Sequence, residues 1–114
     1  MLQKKYRLKK RSAFQATYKA GNSFYKDGIT MFCGRENTTN SPTKIGFVVS
    51  KKIHKRAVKR NRIKRLMRES VRLIIKDNAL NTNCMSLIFV ASTKLLGKNF
   101  VEIDKAIKKL VIKL

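Results

Sequence analysis

The stretch that decides the fold runs from Lys44 to Arg68 and reads KIGFVVSKKIHKRAVKRNRIKRLMR. It opens with a short β-rich apolar run, residues 44–50, which is typical of a strand buried on at least one face. From Ala57 to Ile75, apolar residues recur at the spacing of a single helix face. These residues are Ile63, Leu66, Met67, Val71 and Ile74. The stretch therefore predicts a buried strand followed by a long helix whose apolar stripe packs on a sheet.

Upstream of this stretch, the sequence predicts a short helix and a hairpin. Ser12 and Gln15 have the spacing of a capping box, in which two side chains satisfy backbone amides at a helix start. We therefore expect a short helix to begin at Ser12. Two strands, residues 23–26 and 29–35, should follow it, because Asp27-Gly28 between them is a strong signal for a tight hairpin turn.

Downstream, residues 85–91 (MSLIFVA) predict a fourth strand, and residues 100–114 repeat the helical pattern. Residues 35–43 consist mainly of turn formers and should be an exposed, mobile loop. The predicted order is α-β-β-β-α-β-α. This order indicates an α+β sandwich with a four-stranded mixed sheet, in a single domain that spans residues 1–114.

The chain is strongly basic: its 114 residues include 28 Lys and Arg against 6 Asp and Glu, a net charge of +22. A charge of this size opposes compaction and is usually relieved by a polyanionic partner. Part of it lies in a basic N-terminal arm, residues 1–11, which we expect to be mobile and to order on such a partner. Residues 51–72 carry 11 further cations against Glu69 alone. These clusters predict a domain that binds a nucleic acid, foremost RNA, or an anionic membrane surface.

Two sets of side chains are candidates for contact with RNA. The cations of the long helix should project from faces other than its apolar stripe, where guanidinium groups match phosphate. These cations are Arg60, Arg62, Lys64, Arg65 and Arg68. Asn61 adds a neutral donor and acceptor for a base edge or a 2′-hydroxyl. The aromatic side chains of Phe14, Tyr18 and Phe32 either stack on unpaired bases or pack the first helix on the sheet, and the sequence leaves both roles open.

The sequence offers little for catalysis, metal binding or secretion. The six acidic residues form no paired-carboxylate or metal-ligand spacing, and His54 has no acid nearby in sequence, so we predict neither a catalytic residue nor a metal site in the protein. Cys33 and Cys84 lie far apart and are expected to be buried reduced thiols. No signal peptide or membrane-spanning run is present, which favours the cytoplasm.

Residues 45–52 (IGFVVSKK) and 57–69 (AVKRNRIKRLMRE) together resemble the signature of the bacterial ribonuclease P protein family. The likeness extends upstream through Arg7-Leu8 and Phe14 to Gly21. The resemblance implies a subunit that binds ribonuclease P RNA and the 5′ leader of precursor tRNA, and that assists removal of the leader. It also implies that the RNA cleaves the bond with Mg²⁺, that the protein alone binds no cofactor, and that the complex is 1:1.

The resemblance assigns roles to individual positions. It places Arg60, Asn61 and Arg62 against the catalytic RNA, with Lys64, Arg65 and Arg68 on the same helix. It places the leader in a cleft between the first helix and the sheet. The residues of this cleft are Phe14, Tyr18 and Phe32, with Lys51 and Lys52 near its end. The family is also known for a left-handed crossover between its parallel strands, against the general right-handed rule, and we adopt the left hand here.

Three other classes of function share some of these features. A ribosomal or other structural RNA-binding protein without a nuclease role would share the charge but would not need an aromatic cleft. A helix lying on a membrane needs a free apolar face, whereas the stripe from Ile63 to Ile74 is needed by the sheet. A helix-turn-helix protein is disfavoured because strands, rather than a short partner helix, flank the basic helix.

Overall fold

A computed structural model of the chain describes residues 3–37, 41–77, 80, 82 and 84–113. The described helices and strands follow the predicted order and form an α+β fold. They are α1 (Arg11–Lys19), β1 (Asn22–Lys26), β2 (Ile29–Cys33), β3 (Lys44–Val48), α2 (Ala57–Lys76), β4 (Ser86–Ala91) and α3 (Phe100–Ile112). Within the predicted loop and the last predicted helix, residues 38–40 and 114 lie outside the described part.

The strands form one mixed sheet in the order β1-β2-β4-β3. β1 pairs with β2 and β2 with β4 in antiparallel fashion, while β3 and β4 are parallel. Because α2 lies between β3 and β4 in the chain, it belongs to the crossover that joins the parallel pair. The mixed four-stranded sheet is thus confirmed, and the left hand of the crossover stays a prediction.

The two faces of the sheet have different partners. On one face, β-strand side chains such as Met31 and Phe89 pack with α2 and α3 to form the main core. The rings of Phe47 and Phe89 stack there at a centroid distance of 5.8 Å. The opposite face carries α1, which lies over Phe32 and Gly46. The core is therefore on one side, and the surface beside α1 remains partly open.

The apolar stripe of α2 is buried as predicted except at Leu66, and it also includes a polar residue, Ser70. Ile63, Met67, Val71 and Ile74 belong to the core, and Leu66 is only partly buried against it. Ser70 is fully buried on the same stripe, and its hydroxyl donates to Asp104 Oδ1 of α3 at 2.7 Å. None of the described helices is long and apolar enough to cross a membrane.

The hairpin turn is confirmed at Asp27 and Gly28, whose φ angles are 48° and 93°. Gly28 is required twice, for its positive φ and because a Cβ there would lie 2.9 Å from Lys94 Cβ. β2 ends at Cys33, earlier than the predicted end at Arg35.

The capping box predicted at Ser12 is wrong. α1 begins at Arg11 with Lys10 as its N-cap, and no side chain caps it. The start is set from outside the helix, because the amide of Leu8 donates to the carbonyl of Ile45 at 2.9 Å and fixes the chain on β3. Ser12 therefore lies inside the first turn, where its hydroxyl cannot act as an N-cap.

The predicted basic arm is shorter and more ordered than expected. Lys4–Tyr6 form a turn of 3-10 helix, and Arg7 bridges to Ile45 at the edge of β3. The described part of the arm is therefore docked on the sheet, and it ends at Lys10.

The two cysteines are buried as predicted, but the expectation of reduced thiols is wrong. Cys33 and Cys84 form a disulfide with a Cα–Cα distance of 5.9 Å. The pairing of β2 with β4 brings them together, because the carbonyl of Arg35 accepts from the amide of Met85 at 2.7 Å beside them. The separation of 51 residues in sequence hides this proximity.

Candidate nucleic-acid interface

Helix α1 is anchored to the sheet by an aromatic ring and by a hydroxyl. The ring of Phe14 lies over Gly46, where an added Cβ would come within 2.6 Å of Phe14 Cζ. The hydroxyl of Thr17 is buried, donates to the carbonyl of Ala13 at 2.8 Å and hydrogen-bonds the hydroxyl of Ser86. The missing side chain of Gly46 is therefore what lets α1 approach the sheet closely.

Tyr18 and Phe32 form an aromatic pair at the margin of α1. Their ring centroids lie 4.9 Å apart with the planes at 82°, an edge-to-face arrangement. Tyr18 is 39% exposed and Phe32 is half-buried. Burial raises the pKa of the Tyr18 phenol above its ordinary value.

The sheet surface beside this pair forms the floor of a cleft. Thr30, Val90 and Val48 are paired with one another across the sheet and are only half-buried. They lie on the α1 face, two residues along each strand from the row that contains Phe32 and Gly46. Lys51 and Lys52 are exposed in the turn region that follows β3. The structure thus brings Tyr18 and Phe32 into contact and places Phe14 one helical turn earlier on α1, over β3. It places the two lysines beyond the end of a strand of the same sheet.

The outward face of α2 carries most of the other predicted set. A shallow groove on the helix is lined by Val58, Asn61, Arg62, Arg65, Arg68 and Glu69. Val58 is 77% exposed and is the apolar member of an otherwise polar and charged lining. Since the buried stripe of α2 faces the sheet and α3, this groove lies on the far side of the helix from the cleft.

Arg60 and Lys64 do not line that groove, so the predicted set is divided. Arg60 precedes Ile63 by three residues and Met67 by seven, which places it on the side of the buried stripe. It is half-buried, and its Nε has no hydrogen-bond partner among the described residues. The expectation that every cation of α2 projects away from the stripe is therefore wrong for Arg60, and its contact with RNA stays a prediction.

Charge on the α2 surface is weakly compensated. Arg72 Nη2 and Nε donate to Glu69 at 2.6 and 3.1 Å. This hydrogen bonding lowers the pKa of Glu69 and raises the pKa of Arg72. Within the described residues, Arg62, Arg65 and Arg68 form no ion pair. Their guanidinium groups remain available to phosphate.

The sequence did not predict two further features, which lie on the α1 side of the molecule. A second basic groove runs between the N-terminal arm, α1 and the start of β3. Its cationic lining comprises Lys4, Arg7, Lys9, Lys10, Arg35 and Lys44. Arg35 and Lys44 join it only through sheet pairing, for which the sequence has no local signal. Tyr25 was also missed, although the alternation of β1 places it on the cleft face.

His54 has a structural role, since its Nδ1 accepts a hydrogen bond from the amide of Arg56 at 3.0 Å, just before α2. Within the described ranges, no group of three or more His, Cys, Asp or Glu residues could hold a metal ion.

Comparison with known proteins agrees with this geometry. The profile of the family described as Ribonuclease P matches residues 2–114. The "Ribonuclease P protein component" of Clostridium kluyveri is 40% identical over 110 residues, which cover 95% of this chain and 93% of that protein. Its counterpart in Clostridioides difficile is 36% identical and covers 91% of this chain and 87% of its own length.

Solved structures give the same result. The RNase P protein of Staphylococcus aureus, in a mutant described as defective in mRNA degradation activity, superposes with a TM-score of 0.76 at 27% identity, covering 95% of this chain and 86% of that chain. The RNase P protein of Thermotoga maritima, at 21% identity, shares the fold with a TM-score of 0.77 over 95% of this chain and 96% of that one. The chain therefore belongs to the bacterial ribonuclease P protein family, as a subunit that associates with ribonuclease P RNA in tRNA processing.

Proposed function

We propose that this chain holds the 5′ leader of precursor tRNA in the cleft beside α1 while the outward face of α2 contacts the catalytic RNA. The observation that carries the proposal is the pairing of half-exposed Tyr18 and Phe32 beside an open strip of sheet. Base–aromatic stacking contributes about 1–3 kcal/mol per base and tolerates any sequence, as leader binding requires. The complex would be 1:1 and cytoplasmic.

The protein would assist binding rather than cleave the bond. A catalytic RNA and a tRNA precursor repel each other, and a chain of net charge +22 between them lowers that repulsion. The described residues offer no cluster of carboxylates or histidines for a metal ion. Mg²⁺ would therefore be held by the RNA, which would perform the hydrolysis.

A test of the whole proposal is leader removal from precursor tRNA at low Mg²⁺, with the protein alone, a bacterial ribonuclease P RNA alone, and both together. We expect cleavage chiefly in the mixture. Cleavage by the protein alone would reveal an active site in the chain. An absence of stimulation would instead favour the second candidate, a structural RNA-binding protein without a nuclease role, which shares the cationic face of α2.

The cleft is tested with Tyr18→Leu, which keeps an apolar side chain at a partly exposed position. We expect the affinity of the protein–RNA complex for leader-bearing tRNA to fall about 5- to 100-fold, because one stacking contact is lost. Mature tRNA, which lacks the leader, should bind as before. Tyr18→Phe should retain most of the affinity, and equal losses for both tRNAs would reject the cleft.

A further inference from the structure

Tyr25 is an exposed aromatic side chain on the cleft face of the sheet. Its neighbour Phe24 packs against the main core, so strand alternation directs Tyr25 to the face that carries α1. It lies opposite Thr30 in the antiparallel register, and Phe32 is the next residue of β2 on the same face. Diagonal neighbours of this kind have side chains within reach of a common ligand. Tyr25 therefore extends the aromatic surface from Phe32 to the edge of the sheet.

The core does not account for Tyr25. Its side chain is 52% exposed, and neither of the ring pairs found among the described residues includes it. An aromatic ring of this size is usually placed to bury area, and here about half of the residue faces solvent. The ring is available for a ligand that stacks.

A cation lies over the face of the half-exposed ring. Lys94 Nζ lies 5.9 Å from the centroid of Tyr25. Its backbone is held in place because the amide of Ser92 donates to the carbonyl of Gly28 at 2.9 Å, which ties the 3-10 turn Thr93–Leu95 to the hairpin. Lys98 Nζ also donates to the carbonyl of Asp27 at 3.4 Å. The hairpin end of the sheet thus combines a half-exposed ring with two lysines whose backbone is held in place.

We propose that Tyr25 and Lys94 form an additional nucleotide subsite, in which Tyr25 stacks on a leader base beyond the one held at Tyr18 and Phe32, and Lys94 binds a phosphate. This inference rests on the proposed function, since it extends the same cleft. A ring with an adjacent cation is the arrangement by which proteins bind single-stranded nucleic acid without reading its sequence.

The experiment uses the full chain assembled with a bacterial ribonuclease P RNA, and precursor tRNAs in which leader bases are replaced by abasic residues one position at a time. With the wild-type protein, loss of the base that stacks on Tyr25 should reduce affinity about 5- to 100-fold. Tyr25→Leu should bind the intact leader with the same reduction, and it should show no further loss at that one abasic position. Tyr25→Phe should behave as the wild type.

Lys94→Gln tests the phosphate contact, with Lys109→Gln as a matched control because Lys109 is exposed on α3. We expect the first variant to lower the salt dependence of precursor binding by about one unit and the second to leave it unchanged. If Lys94→Gln and Lys109→Gln have the same salt dependence, the phosphate contact is refuted.

The outcomes separate the two proposals. If Tyr18→Leu loses leader-dependent affinity but Tyr25→Leu has the abasic profile of the wild type, the additional subsite is refuted and the cleft stands. If Tyr25→Leu weakens mature tRNA as much as leader-bearing tRNA, Tyr25 has only a structural role. If the leader contributes nothing to the affinity of the wild-type complex, the proposed function itself fails.

Discussion

The cleft beside α1 and the outward face of α2 both have polyanion-binding chemistry, but they are built in different ways. The cleft depends on contacts between distant segments, such as the ring of Phe14 over Gly46 and the bond of Thr17 with Ser86. The α2 face depends on the register of one helix, whose buried stripe turns Asn61, Arg62 and Arg65 outward. One surface therefore requires the assembled sheet, while the other requires only a docked helix.

The chemistry of the two surfaces differs as well. The cleft presents aromatic rings, with cationic side chains towards its ends, which suits unpaired bases. The α2 face presents guanidinium groups that match phosphate, which suits a folded RNA of any sequence. Changes to the sheet should therefore affect leader binding most, and changes to α2 should affect assembly with the RNA.

The largest effect is expected from the disulfide that joins the end of β2 to the segment before β4. Reduction of Cys33–Cys84, which closes a separation of 51 residues, should lower the free energy of unfolding by about 2–4 kcal/mol. Urea unfolding with and without a reductant measures this difference. A Cys33→Ala, Cys84→Ala double variant should be insensitive to the reductant. Equal stability of the wild type under both conditions would contradict the prediction.

Gly46→Val should specifically disturb the packing of α1 on the sheet. Its side chain would collide with the ring of Phe14, and overpacking of this kind costs about 1–3 kcal/mol of stability. Val101→Ile, at an exposed position of α3 outside the cleft, is the matched control. We expect Gly46→Val to lose leader affinity while it keeps its affinity for ribonuclease P RNA.

A double-mutant cycle identifies the cause. If Gly46→Val acts through the Phe14 ring, addition of Phe14→Ala should recover part of the lost stability in urea unfolding. Strictly additive effects of the two substitutions would show that the ring does not meet the new side chain.

Features set by residues close together in sequence were predicted correctly, whereas features set by contacts between distant segments were not. The hairpin at Asp27 and Gly28 and the buried stripe of α2 are local patterns, and both are confirmed. The disulfide was missed because sheet pairing, rather than sequence spacing, brings Cys33 to Cys84. The leader-binding roles of Phe14, Tyr18 and Phe32 remain predictions, although their proximity is now established.

The two helix starts show how a local signal can mislead. Ser12 and Gln15 have the spacing of a capping box, but the docking of Leu8 on Ile45 starts the helix earlier. At α3, Asn99 and Glu102 have an equivalent spacing and form a complete capping box, with bonds of 3.0 and 3.3 Å. The pattern alone does not distinguish the two cases, because tertiary contacts before the helix decide which residue becomes the N-cap.

Arg62→Ala and Arg65→Ala test the α2 side of the comparison. Each should lower the slope of log affinity against log salt concentration, for binding to ribonuclease P RNA, by about one unit. Lys109→Ala on α3 is the control for a general loss of charge. Leader dependence should persist in both arginine variants, because the cleft is unchanged. If either variant no longer distinguished leader-bearing tRNA from mature tRNA, the two surfaces would not bind their RNAs independently.

The smallest effect is expected at Glu69, the carboxylate that lies among the arginines of this face. Glu69→Gln removes a negative charge and releases Arg72, so affinity for the RNA should rise slightly. The hydrogen bond from Arg72 lowers the pKa of Glu69, so its small contribution to stability is present above the ordinary pKa and is lost as the pH falls through the lowered value. Thermal melts from neutral to acid pH should therefore show a stability difference between Glu69→Gln and the wild type that vanishes in acid. A difference that persists there would assign the effect to helix packing rather than to the ion pair.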